Sequence, residues 1–438
     1  MNFKTRSMKI NLFLLVIIAL ISCQNHNESK PSCELIDISV IGYQCDSLRA
    51  VEQHGKAAQL YFKTGEKNLS SELFVYSAWQ FGEAGKIDSA LIAVKQAMKY
   101  GMNNPYILDK LGIKNESKNS ELRKEVDLLL EKIKLKNSSV NNFEIVTRPI
   151  SSFWNYFDKA MKDEANAKKY LSEFICEGSY AIKDYYHIRY ENVDKMHRIW
   201  IDENADYFSY VKNYITSEKL EKVSKEAKQM MVRFSKIYPN AVFPKTYIVP
   251  DLINGSGTLT ELGLYIGIEM FAKSDNMPLD NLSDWEILTI TEFENMKFDL
   301  VHELMHFQQS YSDTENKDLL VGKLIEEGVC DFLVSLLTDN NQVSPGVQRN
   351  LDYLEKPGNF EFLMNGLKRD IYSGDLSKWM YNGGGITDRP SNLGYTMGYL
   401  ICKSYYKKSV DKEMAIFELL NTNDFKKIIM ESEFKEIL

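Results

Sequence analysis

The apolar positions of this chain change their period along its length. From about residue 46 to 135 they recur three and four apart with few β-branched runs, so an all-helical segment is expected there. Residues 118–140 are charged and then Asn/Ser-rich, which makes Lys136-Asn137-Ser138-Ser139 the candidate boundary. Helical spacing returns from 153 to 234, and between 208 and 237 Val211, Ile215, Leu220 and Val223 mark the buried stripe of a surface helix or helix pair. After Pro239 the period shortens. Ala241-Val242-Phe243, Thr246-Tyr247-Ile248-Val249 and Leu264-Tyr265-Ile266-Gly267-Ile268 are short, β-branched and aromatic, the last following a glycine-rich turn at Asn254-Gly255-Ser256-Gly257. They predict a small sheet ahead of the next helix. The expected class is α+β, mostly helical.

The N-terminus carries a separate signal. Lys4, Arg6 and Lys9 precede an uninterrupted apolar run over residues 12–21, the pattern of a secretory signal segment and too short to span a bilayer comfortably. The run ends in Leu20-Ile21-Ser22-Cys23, which resembles the lipobox of bacterial lipoproteins, where the cysteine thiol carries the lipid. That resemblance implies a signal peptide over residues 1–22, lipidation at Cys23, and membrane attachment in the bacterial cell envelope through the lipid. Gln24, unlike an aspartate there, gives no sign of inner-membrane retention, so the outer membrane is the expected location. The polar residues that follow read as a tether over 23–40. Five of the six cysteines remain after Cys23, so at least one is unpaired within the monomer. Cys33 with Cys45 is the locally plausible bridge, and two separate buried thiols are the alternative.

A chain of 438 residues exceeds what one hydrophobic core usually supports, and the readings above divide it into a helical domain over 41–136 and a second domain over 140–438. With 44% hydrophobic residues and 10 prolines it is expected to fold, disorder not being its dominant state. The net charge of -8, with Lys and Arg dispersed, leaves no broad basic surface, so nucleic acid is not an expected partner. In the helical domain Phe74, Ala78, Phe81, Gly85, Ala90, Val94 and Ala97 fall where a tetratricopeptide repeat places its large and small residues. This resembles one such repeat and implies a protein partner for the region. Against it, the closing proline comes late, at Pro105, and stacked repeats normally need neighbours. An ordinary helical hairpin packed on the next domain is the alternative.

The chemistry concentrates in His302-Glu303-Leu304-Met305-His306, an HExxH pattern within an apolar helical stretch. Residues four apart share one face of a helix, so both imidazoles can converge on one metal ion with Glu303 offset beside it. Zinc held by neutral imidazoles acidifies a water, and a neighbouring carboxylate can take up the proton as a carbonyl is attacked. A catalytic zinc needs a third protein ligand. No histidine follows His306, which argues against a third histidine shortly after the second and directs attention to Glu326-Glu327-Gly328-Val329-Cys330-Asp331 on the next expected helix. Neighbouring helix residues point about 100° apart, so Glu326 and Glu327 cannot substitute for each other freely. Glu327 is the choice, because Asp331 lies one turn beyond it, suited to accept the second ring N–H of a ligating histidine. His187 and His197 lack a chelating neighbour at helical spacing and are expected to be structural.

Taken together, His302-Glu303-Leu304-Met305-His306 and Glu327-Gly328-Val329-Cys330-Asp331-Phe332 resemble the active-site helices of gluzincins, zinc metallopeptidases of the HExxH...E type. The wider region, roughly residues 145 to 420, is similar to zinc proteases of uncharacterised-domain families, including lipoproteins of gliding bacteria; only the HExxH part is specific. The likeness extends to Asp388-Arg389-Pro390 and Gly394-Tyr395-Thr396-Met397-Gly398-Tyr399. It implies a zinc hydrolase acting on a peptide or protein substrate, with His302, His306 and Glu327 on the metal and Glu303 as general base. An oxyanion donor is also required. Tyr395 is the first nominee, with Tyr399, Arg389 and His197 behind it. The strand over residues 264–268 is a candidate edge for pairing with an extended substrate. The competing reading is an envelope lipoprotein that recruits a partner through its helical region and keeps only a structural or vestigial metal site. The intact Glu303 argues against it, since a structural site does not need that carboxylate.

Overall fold

The alternation of periods gives a mostly helical α+β architecture with one small four-stranded sheet. The computed structural model describes residues 35–438 except 312–313, 384–385 and 387–388. The expected signal segment, Cys23, Cys33 and Asp388 lie outside the described residues. No helix among the described residues is long and apolar enough to cross a membrane.

The first helix, Ile38–Ala50, begins inside the expected tether, which is a correction to that boundary. Asp37 caps it by accepting the Ser39 N–H at 2.9 Å, the Ile38 N–H donates to the Glu191 carbonyl at 3.0 Å, and Leu35 and Ile38 pack on the main core. Of the two alternatives for Cys45 the bridge to Cys33 is likewise corrected: Cys45 is a free, fully buried thiol, and among the described residues Cys176 is disulfide-bonded.

Helices His54–Asn68, Ser71–Glu83 and Ile87–Lys99 pack through wholly buried alanines, Ala58, Ala78, Ala90 and Ala97, whose small side chains let the axes approach. Their apolar cluster closes with Val126 and Leu130 of helix Glu121–Asn137. A second, larger cluster runs from Phe143 to Ile437. Polar bonds link the two. The fully buried Asp184 accepts the Ser70 hydroxyl at 2.6 Å and the Glu72 N–H at 2.9 Å, satisfying the orphan donors at the start of Ser71–Glu83.

The sheet has the order β1-β2-β4-β3, with β1 (Ile145–Val146), β2 (Lys245–Val249), β3 (Gly257–Leu259) and β4 (Gly263–Gly267). β1 runs parallel to β2, β2 parallel to β4, and β3 antiparallel to β4. β2 and β4 coincide with expected strands, whereas Ala241-Val242-Phe243 is not one. The Gln308 amide takes both main-chain groups of Val242, at 2.9 and 2.8 Å, so that segment is bonded to a side chain instead of a ladder. β4 is paired on both sides, which corrects its candidacy as a substrate-pairing edge; the edges are β1 and β3, and β3 starts within the expected glycine turn.

The loop entering β3 is held from below. Glu269, wholly buried, accepts the N–H groups of Asp251 at 3.0 Å and Ile253 at 3.2 Å. Burial pushes its carboxyl up to about 8, and the neighbouring Asp251 adds to the effect. The folded state therefore holds this proton more tightly than the unfolded chain. Its stabilising contribution is fully present below the ordinary value of 4.5 and is lost as pH rises through about 8. Between about pH 5 and about pH 8 the urea midpoint is expected to fall more steeply for the native chain than for Glu269→Gln. Parallel profiles would show that Glu269 carries no such linkage.

Candidate metal centre

Three helices build the site: Met296–His306, Leu320–Leu337 and Leu393–Lys408. The last two cross where Gly328 meets Gly398. A Cβ on Gly398 would lie 2.9 Å from the Gly328 Cα and still closer to the Leu324 carbonyl oxygen, so only glycine permits the approach. The crossing sets Glu327, one residue before Gly328, near Tyr395, one turn before Gly398.

His302 and His306 present their rings 5.1 Å apart between centroids. Both Nε2 atoms converge on one carboxylate oxygen, Glu327 Oε2, at 3.1 Å for His302 and 3.4 Å for His306. Asp331 Oδ1 lies 3.0 Å from His302 Nδ1, the orienting contact expected of it, while His306 Nδ1 meets the Gln309 side-chain oxygen at 3.0 Å. Gln309 is fixed in turn by its bond to the Glu326 carbonyl at 2.6 Å. Glu326 itself turns away to Lys323 at 2.6 Å. Although burial opposes charge on each group, Asp331 and Glu327 hold His302 well above the usual imidazole range. The two imidazoles hold Glu327 far below the usual carboxylate range.

Two donor sets can be drawn for a metal. One is His302, His306 and Cys330, whose atoms all lie within 4.8 Å of one another. The other replaces Cys330 by Glu327. Cys330 Sγ sits beside the His306 ring, 3.6 Å from Nδ1 and 3.9 Å from Nε2, and is 3.4 Å from the Glu326 carbonyl. Burial and then the nearby carboxylates push its thiol well above the ordinary range, so it keeps its proton. Donors on a tetrahedral zinc with bonds of about 2.0–2.1 Å stand about 3.3–3.4 Å apart. The Glu327 distances, 3.1 and 3.4 Å, match that spacing, so the second set fits a tetrahedral zinc better.

Glu303 projects into the same cleft, directly against β3. A Cβ on Gly257 would stand 2.7 Å from Glu303 Cγ and 2.8 Å from Cδ, which is why glycine opens this strand. Asp299, one turn before His302, lines the cleft too, and burial pushes its carboxyl up to about 7. Its position four residues before Glu303 was the available signal. The cleft measures about 850 Å³, with Ser256 and Leu259 of the β3 segment on one wall and Ser344, Arg349 and Asn392 among the residues lining the rest.

The nominated oxyanion donors separate here. Tyr395 lines the cleft, its ring 6.3 Å from that of His302. Tyr399 is buried and accepts from Lys403 Nζ at 2.8 Å; Arg389 lies over the Trp379 ring and donates to the Lys378 carbonyl; His197 pairs with Asp202 at 3.0 Å. None of these three lines the cleft, so their candidacy is corrected. His187 is buried with neither ring nitrogen bonded. A residue missing from the sequence reading also reaches the site: the Tyr381 hydroxyl donates to Glu327 Oε1 at 2.9 Å, and its ring lies 5.9 Å from that of Tyr395. Burial pushes both phenols far up, so both keep the O–H needed to donate.

The alternation of an antiparallel ladder decides what β3 offers the cleft. Thr260 and Gly263 exchange both main-chain bonds, and Ser256 accepts from the Gly267 N–H at 3.0 Å. The even-numbered residues therefore face β4, leaving the N–H and C=O of Gly257 and Leu259 directed to the open side. No protein-family model, curated protein or solved structure matches this chain.

Proposed function

We propose that the protein is a zinc-dependent peptidase of the gluzincin kind, a hydrolase anchored to the bacterial envelope, with the outer membrane as its expected location, by a lipid on Cys23. The observation that supports this most is the convergence of His302 Nε2 and His306 Nε2 on one Glu327 oxygen, with Glu303 alongside and a free strand edge above it. Zinc held by His302, His306 and Glu327 would polarise the scissile carbonyl and lower the pKa of water. Asp331 keeps the His302 ring oriented, and Gln309 does the same for His306. Glu303 accepts the proton of the attacking water and delivers it to the departing amine. Tyr395, with Tyr381 beside it, donates to the oxygen that gains charge. An extended peptide pairs with the outward groups of Gly257 and Leu259. In this reading residues 140–438 form a zincin-like domain.

The test is metal removal. The full chain is expected to bind one zinc and to cleave members of a peptide library; chelation should abolish cleavage, and stoichiometric zinc should restore it. Unchanged cleavage by protein shown to be metal-free would end this reading.

The second reading is a binding lipoprotein whose tetratricopeptide-like helices recruit a protein partner. It draws on the exposed Tyr43, Tyr76 and Trp79 of helices Ile38–Ala50 and Ser71–Glu83. A structural metal site leaves Glu303 without a role, which favours the peptidase.

A further inference from the structure

The turn joining β3 to β4 is unusual for a hairpin tip. Glu261-Leu262 connects Thr260 to Gly263, where side chains ordinarily meet water, yet Glu261 is only 4% exposed and Leu262 only 2%. A carboxylate is rarely buried unless paired. Its partners all come from the N-terminal helical layer. Asn104 Nδ2 donates to Glu261 Oε2 at 2.7 Å, Lys110 forms an ion pair with Oε1, and the Asn103 N–H donates to the Glu261 carbonyl at 2.7 Å. Leu262 fits against Gly101, where a Cβ would stand 3.4 Å from its Cδ2.

The other end of β3 is held by the C-terminal body. Arg189 pairs with Asp251 at 3.1 Å and with the Asn254 side chain, and Tyr185 donates to Asp251 at 2.8 Å. Between these two anchors lies a strand of 3 residues, paired on one side only. Such a short edge has little stability of its own, since each outward peptide group lacks a ladder partner. Its placement over Glu303 is therefore set by what grips its ends.

We propose that the N-terminal helical layer is a positioning element for the cleft: Glu261, gripped by Asn104 and Lys110, fixes the edge of β3 against which an extended peptide substrate aligns. This rests on the peptidase reading for its consequence, though the clamp can be tested without it. Glu261 is a positioning residue. It touches neither the metal ligands nor Glu303, and it acts through the strand, so its loss falls on the binding of long substrates.

Polarity exchange provides the experiment. Asn104→Asp keeps the oxygen that accepts the Tyr106 N–H at 2.8 Å but sets a carboxylate against Glu261. Glu261→Gln sets an amide N–H against the Asn104 or Lys110 donor. In the double variant the new amide at position 261 donates to the new carboxylate at position 104, re-forming the bond with donor and acceptor swapped. In the full chain, amide exchange of the segment 257–263 is expected to quicken about tenfold or more in each single variant and to return to the native rate in the double one. For an octapeptide cleaved by the native protein, KM should rise about tenfold in the single variants with kcat within about twofold. For an N-acylated dipeptide amide spanning only the cleaved bond, both constants should stay unchanged.

Native exchange rates in the single variants, or a double variant as fast as its parents, would overturn the clamp. An equal loss of kcat on both substrates would overturn the positioning role. Absence of any cleavage by the native chain would sink the peptidase reading while the exchange measurement still decided the clamp.

Discussion

Replacing Glu303 by Gln is expected to lower kcat for peptide hydrolysis on the order of 10²–10⁴-fold while zinc content and KM stay within about twofold of the native values. The substitution preserves shape and removes one property, the capacity to accept a proton. No hydrogen bond holds the Glu303 carboxylate among the described residues, and its immediate neighbour is the Cβ-less Gly257, so Gln fits the same slot against β3. The proposed metal donors His302, His306 and Glu327 are untouched, because Glu303 faces the space beside the imidazoles. The combination of full zinc and lost turnover is what a general base produces. A purely structural metal site would be indifferent to the change. Retained turnover with full zinc would show that the proton goes elsewhere, and Asp299, four residues earlier on the same helix face and held near neutrality, would be the group to examine.

The parts of this site that were legible in the sequence are those written by a single helix. His302, Glu303 and His306 reveal themselves because four residues return a helix to the same face. Glu327 could be preferred to Glu326 because Asp331 follows it at the same spacing, and the pair does reach His302 from both sides. Tyr381 left no such trace. It lies 54 residues from Glu327 in sequence, at a left-handed φ of 55°, in a connection with no apolar period to register it. The edge strand was hidden for a related reason. β3 starts at a glycine and runs 3 residues, too short for alternation to show, whereas the fully buried β4 announced itself by composition and was mistaken for the accessible strand. Ala241-Val242-Phe243 has the right composition for a strand, but its main-chain groups bond to Gln308, Asn137 and Tyr238 instead of a ladder. The helical class of the chain needed no such long-range information, since amphipathic periods persist over whole helices.

The second large effect concerns the crossing of Leu320–Leu337 with Leu393–Lys408. Gly398→Ala is expected to lower the free energy of unfolding on the order of 3 kcal/mol or more, well beyond an ordinary surface change. The added methyl would lie 2.9 Å from the Gly328 Cα and nearer still to the Leu324 carbonyl, and both obstacles are main chain, which cannot swing aside as a side chain would. Relief requires the helices to part. Parting them opens the packing of fully buried Leu324, Met397, Ile401 and Cys402, so lost dispersion contacts add to the strain. Gly328→Ala meets the Gly398 backbone from the opposite side and should behave alike. Gly42 is the control. It lies inside helix Ile38–Ala50 with nothing within 4 Å of its would-be Cβ, so Gly42→Ala should leave stability unchanged or raise it by about 0.5–1 kcal/mol through helix propensity. Because Glu327 and Tyr395 sit beside the crossing, a Gly398→Ala protein that remains folded should also bind zinc more weakly, which equilibrium competition with a coloured chelator would measure. Denaturation at the native midpoint with native zinc affinity would mean that the helices can separate at no cost, and the glycine contact would lose its place as the element that brings Glu327 to the histidines.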